Sequence, residues 1–337
     1  MKHTTYSLDI GKQIFHLVVM DPRGQIIKRK QLKRHQVLDY FSQLPVGLVA
    51  MESCGGAHYW ARSFQAIGHD VRLIAPQYVK PFVKGNKNDY NDAEGIGEAA
   101  QRPRMRFVPI KSVEQQDIQN YHRQRAQLQR DRLALCNQIR GICLEYGVPL
   151  KLGLAGVRRG LPELLEDADK GLTELTRSFL AEQYDRLCDL DERVRRCDKQ
   201  IEQLAKTNAV CQRLQTIHGV GVITASAVYA AAGSGQAFTQ GRHFSAWLGL
   251  VPKQHSTGGK TVLRGISKRG DAYLRTLFIH GARSVVLHSK HKTDRLSRWI
   301  QALLVRRGHN RTCVAVANKL ARIAWAVMRR EQVYQPA

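Results

Sequence analysis

The stretch YSLDIGKQIFHLVVM, residues 6–20, places two apolar runs on either side of a short polar segment. Apolar runs of this length, bounded by turn residues, are typical of β-strands. The segment at 22–24, Pro-Arg-Gly, is typical of a hairpin turn and predicts that a further strand follows it. In this way five strands are predicted, at 4–10, 14–20, 25–32, 46–53 and 71–76.

Two helices, at 35–44 and 57–68, are predicted between the later strands. A strand meander followed by alternating helices and strands predicts an α/β domain, with a mixed sheet covered by helices. This order is compatible with a ribonuclease-H-like topology. We place this domain at residues 1–110.

Long polar helices with few glycines follow, at 111–146 and 172–206. The second helix carries apolar residues at spacings of 3 and 4, which is a heptad pattern. Its members are Leu187, Leu190, Val194, Cys197, Ile201 and Leu204. The pattern predicts either an antiparallel hairpin that packs on itself or an intermolecular coiled coil, since periodicity does not identify the partner helix. We place this coiled-coil region at 111–206.

The remaining segment, 207–337, is predicted to be a mainly helical domain. Its six predicted helices are 208–217, 222–232, 239–249, 271–287, 292–306 and 311–329. It holds 20 lysines and arginines against 3 acids, out of a net charge of +25 for the chain. Such an excess favours a polyanionic partner, and nucleic acid in particular.

Other classes of protein are disfavoured by the composition. No apolar run approaches the roughly 20 residues that span a bilayer, and the first residues lead into a strand pattern instead of a secretory signal. Seven cysteines without a C-x-x-C pair give no disulfide framework or zinc spacing, so we expect reduced thiols. These features predict a cytoplasmic, nucleoid-associated protein without a membrane partner.

Four acids stand where three predicted elements begin or end: Asp9, Glu52, Asp89 and Asp92. Strand ends of adjacent parallel strands meet at one edge of a sheet, and residues i and i+3 share one helix face. We therefore expect the four carboxylates to lie close together. Hard oxygen ligands of this kind suit Mg²⁺, and metal ions held by such acids catalyse phosphodiester cleavage.

Each acid also has an ordinary interpretation. An Asp at a strand end or an acid in the first turn of a helix is commonly a cap or a solvated charge. Glu94 and Glu98 lie in the same predicted helix as Asp89 and Asp92, and either could replace one of them in the cluster.

Two C-terminal motifs are candidates for handling nucleic acid. LQTIHGVGVITASAVYAAAG, residues 214–233, resembles a helix-hairpin-helix, in which Gly219 and Gly221 would let the backbone approach a phosphate. A tight helix connection would look the same.

The second motif is LGLVPKQHSTGGKTVLRGISKRGDAYLR, residues 248–275. It offers Ser256 or Thr257 as a nucleophile, with His255 or a metal-bound water as the base. Four cations could contact phosphate: Lys260, Arg264, Lys268 and Arg269. Spacing alone favours an ordinary turn with phosphate-binding cations over a catalytic loop.

Five motifs in this order resemble a family of insertion-sequence transposases. They are LDIGK, AMESCGGAHYW, KNDYNDAEGI, IHGVGVITASAV and the stretch from WLGLVPKQHSTGG to FIHGA. Members of that family have an N-terminal RuvC-like domain with an Asp-Glu-Asp-Asp tetrad, and they include Piv-type DNA invertases and bridge-RNA-guided recombinases. The resemblance covers nearly the whole chain.

The resemblance implies that Asp9, Glu52, Asp89 and Asp92 hold Mg²⁺ and that a serine attacks DNA to form a covalent protein–DNA ester. That serine falls on Ser256 or, counted from the proline, on its neighbour Thr257. The resemblance also implies donor and target DNA as partners, a noncoding guide RNA, and a homo-oligomer, either a dimer or a tetramer.

Two other functions remain open at this stage. A RuvC-type endonuclease selective for DNA structure would need the acids and no hydroxyl. A non-enzymatic architectural protein would need only the charge and the glycine hairpin.

Overall fold

A computed structural model describes residues 4–86 and 88–336. Residues 1–3, 87 and 337, which belong to the predicted N-terminal, acid-bearing and C-terminal segments, lie outside the described residues. The chain divides into two compact units, Met1–Glu114 and Gln115–Ala337. The domain boundaries expected near 110 and 206 stay predictions.

The first unit holds a six-stranded sheet. Its strands are β1 (Thr5–Ile10), β2 (Ile14–Met20), β3 (Ile26–Lys33), β4 (Leu48–Glu52), β5 (Asp70–Ile74) and β6 (Phe107–Val108). All five predicted strands form, and the two-residue strand β6 was not predicted because its segment is too short to show a pattern.

The strand order in the sheet is β3-β2-β1-β4-β5-β6. The central strands β1, β4 and β5 are parallel, and the outer pairs are antiparallel. The result is a mixed sheet, as predicted, and its order fits a RuvC-like domain. Because β1 and β4 are adjacent and parallel, their carboxyl ends lie side by side at one edge.

Helices cover both faces of this sheet. They are α1 (Val37–Ser42), α2 (Ala57–Ala66), α3 (Pro76–Val79) and α4 (Asp89–Ala100). One core joins α1 and α2 to the face that carries Leu8, Phe15 and Met51. On the other face α4 packs on Ala50 through Ile96 and Ala99.

The second unit is mostly helical. Its helices are α5 (Val113–Glu145, which begins in the first unit), α6 (Leu154–Glu166), α7 (Glu174–Thr207), α8 (Ala209–Gln215), α9 (Val222–Ala232), α10 (Gly241–Trp247), α11 (Ala272–His288), α12 (Arg295–Arg307) and α13 (His309–Arg330). Eight of these match predicted helices. Helix α6 was not predicted.

Helices α5 and α7, each about 50 Å long, form an antiparallel pair. Arg125 pairs with Asp198, and Arg132 Nη1 lies 2.9 Å from Asp191 Oδ1. Residue numbers rise along α5 as those of their partners fall along α7, so the two helices are antiparallel. The heptad residues from Leu187 to Ile201 are buried, and Leu204 is partly buried. Most of the stripe packs within the chain against α5 and α6. The self-packing hairpin is therefore the alternative that the structure supports.

The C-terminal helices surround a second core, which contains Phe244, Phe278 and Val316. A two-stranded hairpin projects from it, formed by β7 (Pro252–Thr257) and β8 (Lys260–Ile266). The sequence predicted a loop here. All seven cysteines are free thiols, as expected. Within 4–86 and 88–336, no helix is long and apolar enough to cross a membrane.

Candidate active site

The four predicted acids lie at the carboxyl edge of the sheet, on the face covered by α4. Side chains alternate along a strand, so Asp9 shares its face with Ser7, whose hydroxyl donates to the Ala93 carbonyl in α4. By the same alternation Glu52 shares its face with Ala50, which packs against α4. Both strand acids therefore face the helix that carries Asp89 and Asp92.

The start of α4 is set by Asn88. Its side-chain oxygen accepts a hydrogen bond from the Tyr90 backbone N–H at 2.9 Å, which is an N-cap contact. Helix α4 then begins at Asp89, and Asp92 lies one turn further on. These two acids accordingly share the helix end that lies nearest the strand acids.

A close approach brings α4 down onto β1 and β2. A Cβ atom added to Gly97 would lie 2.7 Å from Met20 Sδ and 3.1 Å from Ser7 Cβ. A side chain there would require the buried Met20 side chain or strand β1 at Ser7 to shift. The glycine therefore allows α4 to lie close against the sheet.

Mutual repulsion shows that the acids are neighbours. Burial raises the pKa of Asp9, and the carboxylates of Asp92 and Asp89 raise it further. Burial also raises the pKa of Glu52, with added contributions from Asp9 and Asp92. Asp9 is thus coupled to both acids of α4, and Glu52 is coupled to Asp92 and Asp9.

The side chains are not arranged as a closed metal site. Among the described residues, no group of three or more His, Cys, Asp or Glu side chains could hold a metal ion. The donor chemistry nevertheless fits a hard divalent cation, because carboxylate oxygens are the ligands that Mg²⁺ prefers. A cation would also relieve the repulsion that raises the pKa of Asp9 and Glu52.

Three further residues, which were not predicted from the sequence, border the cluster of acids. His16 is the cross-strand partner of Asp9, and its Nδ1 lies 3.5 Å from Asp89 Oδ2. The Tyr90 ring meets the His16 ring edge-on at 4.8 Å. The thiol of Cys54 has its pKa raised by burial and by Glu52 and Asp9. The antiparallel pairing of the two predicted strands was the one signal that could have pointed to His16.

Glu94 and Glu98, which could have replaced a tetrad member, have other partners. Arg29 Nη2 lies 2.6 Å from Glu94 Oε1. Glu98 pairs with Lys84 at 3.3 Å and with Arg102 at 3.4 Å. Neither glutamate contributes to the raised pKa of Asp9 or Glu52.

The candidate nucleophiles lie on the β7–β8 hairpin, whose two-residue turn is Gly258-Gly259. Both glycines have positive φ angles, +52° and +77°, which this tight turn demands. Ser256 pairs with Thr261, and Thr257 pairs with Lys260. Both strands are exposed over almost their whole length.

The two hydroxyls face opposite sides of the hairpin. Ser256 Oγ accepts a hydrogen bond from the Gln254 side-chain amide at 2.8 Å and lies 3.4 Å from Thr261 Oγ1. His255 precedes Ser256 in a strand and so lies on the other face, with Thr257. Of the two candidate nucleophiles, Thr257 is therefore the one that shares a face with His255, and the identity of the base stays a prediction.

The base of the hairpin is firmly held. Backbone N–H groups of Ser267 and Lys268 donate to the carbonyls of Val251 and Gly249 at 2.8 and 3.1 Å. Arg275 Nη1 donates to the carbonyl of Leu248 at 3.0 Å. The hairpin is thus an exposed arm on a hydrogen-bonded base.

The four predicted phosphate contacts lie on or beside this hairpin and are all exposed: Lys260, Arg264, Lys268 and Arg269. Lys268 has a φ of +53°, which is rare for a residue with a side chain. It lies in the turn that leads from β8 into α11.

The glycine turn between α8 and α9 forms as expected, but its two glycines differ. A Cβ atom on Gly219 would lie 2.6 Å from Val285 Cγ2 and 2.8 Å from the Gly281 carbonyl oxygen. Packing against α11 thus accounts for this glycine without a ligand. Gly221 has open space around it. Of the two glycines, it is therefore the one whose backbone a phosphate could approach.

The mixed sheet of the first unit fits a RuvC-like domain, and the function of the chain is indicated by its relatives. Comparison with known families agrees: the family DEDD_Tnp_IS110, described as "Transposase", matches residues 7–147, which include all four acids. The "Transposase IS116/IS110/IS902 family" matches residues 211–297, which include the glycine turn and the hairpin.

Relatives that match over nearly their whole length are also named as transposases. The chain is 51% identical, over all of both sequences, to a Pseudomonas aeruginosa protein named "Probable family 20 transposase". It is 47% identical to the transposase for insertion sequence element IS1111A of Coxiella burnetii, covering 97% of this chain and 90% of that one. For the IS1328 transposase of Yersinia enterocolitica the identity is 40%, with 98% of each covered. The chain belongs to the IS116/IS110/IS902 transposase family, whose members are enzymes of DNA cleavage and transfer.

Proposed function

We propose that this chain is the transposase of an insertion sequence, and that Asp9, Glu52, Asp89 and Asp92 form its cleavage site. The observation that carries the proposal is the electrostatic coupling of acids from three elements on one sheet face. A lone cap or solvated charge would not be coupled to three others. The four carboxylates would hold a divalent cation, Mg²⁺ by its preference for oxygen ligands.

The chain's own contribution at this site is position. Strands β1 and β4 hold Asp9 and Glu52 in fixed register, and Gly97 allows α4 to lie close against the sheet. A bound divalent cation neutralises charge on the scissile phosphate. His16 contacts Asp89 in the present structure, so it orients that carboxylate.

We further propose Ser256 as the group that attacks DNA, as the family resemblance implies. Attack of its oxygen on phosphorus forms a serine phosphodiester and releases one deoxyribose oxygen, which takes up the serine proton. Attack by a deoxyribose hydroxyl reverses the reaction and restores free serine. The amide N–H of Gln254, which donates to Ser256 Oγ at 2.8 Å, supports negative charge on that oxygen.

Thr257 is the alternative nucleophile, and the hairpin gives it a distinct setting. His255, Thr257 and its cross-strand partner Lys260 share one face. Substituting Ser256 and Thr257 separately by alanine distinguishes the two, because each change leaves the other face intact.

Guide RNA and self-association complete the proposal. The charge of the C-terminal segment suits a duplex backbone, and base pairing with a noncoding RNA would supply the choice of site. Purification from cells that carry the flanking DNA should then yield a defined RNA species with the protein. Light scattering should give the mass of a dimer or a tetramer.

Metal-dependent hydrolysis without a covalent step is the second candidate. It is favoured by the surroundings of Ser256, whose oxygen contacts an amide and a hydroxyl and no basic side chain. DNA cleavage by a protein that lacks both hairpin hydroxyls would establish it.

The acid site is tested by cleavage of labelled donor DNA with Mg²⁺. Asp9→Ala should reduce cleavage by a factor of at least about 100, while the same change at Glu98, which pairs with Lys84 and Arg102, should leave it within about threefold. Equal activity of the two variants would contradict the site. Both must retain DNA binding, measured without metal.

A further inference from the structure

A cavity of about 330 Å³ opens beside the α8–α9 turn, within the second unit. Its walls come from that turn, the end of α11, the start of α12 and the C-terminal tail. The lining residues that matter for its chemistry are His218, Ser284, His288, Lys292, Asp294 and Tyr334. None of these six residues belongs to the acid site or to the hairpin.

Hydrogen bonds hold the walls in place. The Tyr334 backbone N–H donates to Thr216 Oγ1 at 2.8 Å, which fastens the tail to the turn. The Gln301 side-chain amide donates to the carbonyls of Ser289 and Lys292 at 2.7 and 3.0 Å, which fixes the segment between α11 and α12. The cavity is thus preformed, as ligand sites commonly are.

One side of the cavity is aromatic. The rings of His218 and Tyr334 lie 6.4 Å apart, almost perpendicular to each other. Tyr334 is partly buried, so its ring is held while a surface of it remains accessible. An aromatic ring in a basic protein offers a stacking surface for a nucleobase.

Other residues that line the cavity are cationic or polar. Lys292 and His288 are both exposed at the rim, and the His288 Nδ1–H donates to the Ser284 carbonyl at 2.8 Å, which fixes the ring. Among the described lining residues the one carboxylate is Asp294. Its oxygens accept from the Ser297 N–H at 3.0 Å and hydroxyl at 2.6 Å, and are engaged as the cap of α12.

We propose that this cavity binds one unpaired nucleotide of the nucleic acid, with its base against Tyr334 and its phosphate beside Lys292 and His288. A volume near 330 Å³ is at the lower end of the range for ligand pockets, about 300–1,000 Å³. A duplex cannot enter such a cavity, whereas a single unstacked nucleotide can. The inference rests on the proposed function, because it assumes a nucleic-acid substrate.

The test measures the binding of a fluorescein-labelled oligothymidylate of 12 nucleotides by fluorescence anisotropy. EDTA is present so that the acid site holds no metal and plays no part. Tyr334→Ala should weaken this binding by at least about fivefold, the equivalent of the smallest stacking contribution expected for one base. Binding of a duplex of the same length should change less than twofold. Tyr334→Phe, which keeps the ring, should stay within about twofold of the parent.

Matched controls remove the effects of charge and of tail packing. Lys290→Gln and Lys292→Gln remove one charge each from the same segment, but Lys290 does not line the cavity. Only Lys292→Gln should lose more affinity for the oligothymidylate than for the duplex. Val333→Ala, one residue before Tyr334 and exposed, should bind as the parent does.

The outcomes separate this inference from the proposed function. Equal losses for Lys290→Gln and Lys292→Gln, or a Tyr334→Ala protein that binds oligothymidylate as Val333→Ala does, would overturn the cavity and leave the transposase intact. A parent protein that binds neither probe would contradict the proposed function itself. If Tyr334→Ala lowers the melting temperature markedly, the comparison of Lys290→Gln with Lys292→Gln tests the cavity instead.

Discussion

Replacing Gly97 by alanine should destabilise the first unit, although alanine is the better helix former. A Cβ atom there would lie 2.7 Å from Met20 Sδ and 3.1 Å from Ser7 Cβ, both in buried strand residues. Relief of such an overlap costs about 1–3 kcal/mol. The helix gains about 0.5–1 kcal/mol from the change of glycine to alanine. The expected net result is a loss on the order of 1 kcal/mol.

Gly141 is the matched control, because it also lies within a helix, α5, but has open space where a Cβ would go. Gly141→Ala should stabilise the chain by about 0.5–1 kcal/mol. The helix-propensity gain is common to both variants, so their difference isolates the packing cost of about 1–3 kcal/mol.

Scanning calorimetry of the full chain measures both variants, and cleavage of donor DNA follows the acid site. Gly97→Ala should also reduce cleavage, because a raised α4 moves Asp89 and Asp92 away from the strand acids. A Gly97→Ala protein as stable as Gly141→Ala would refute the close approach of α4 to the sheet.

Three further predictions concern pH and the hairpin. Burial lowers the pKa of His122 to about 4 from its ordinary 6.5, so the unfolded chain binds a proton that the folded chain does not, and stability should fall by roughly 3 kcal/mol as pH drops from 6.5 to 4. His122→Gln should flatten this part of the thermal-melting profile; an unchanged slope would contradict it. Because the pKa of Asp9 is raised, its contribution to stability is present below the ordinary Asp range and is lost as pH rises through the raised value. In EDTA, Asp9→Asn should therefore lose less stability than the parent over that rise, and equal losses would count against the cluster. Gly259 has a φ of +77°, so Gly259→Val should destabilise the hairpin by about 1–2 kcal/mol. Trypsin should then cut more quickly at Lys253 and Arg264, while the melting temperature of the chain stays unchanged. An unaltered digestion rate would argue against this turn.

The sequence predicted those parts of the fold that are continuous apolar runs between turn residues. Strands β1 and β2 and helix α9 are continuous apolar runs that are buried over most of their length, and they form close to the expected bounds. The four acids were predictable for a related reason, because an acid that ends an apolar strand is costly without a partner. Strand alternation and the parallel pairing of β1 with β4 put Asp9 and Glu52 on one face.

Other parts depend on contacts that no local pattern shows. The β7–β8 hairpin has no buried face, so its polar, Gly-Gly-containing sequence looked like a loop. Gly219 packs on Gly281 in α11, and this contact between distant segments gave the turn a structural role that the helix-hairpin-helix pattern could not reveal. His16 adjoins the acids only because β1 and β2 pair in one particular register.

The central claim is that metal-binding acids and a hairpin hydroxyl together cut and rejoin DNA. Its most direct test incubates the protein, purified with its RNA, with labelled donor and target DNA and Mg²⁺, and resolves the products on a denaturing gel. The account predicts a protein–DNA adduct that forms in the parent and disappears in both Ser256→Ala and Asp9→Ala, while Thr257→Ala retains it. Cleaved DNA without any adduct, from the parent or from the protein lacking both hydroxyls, would contradict the covalent step. No cleavage under any of these conditions would contradict the site itself.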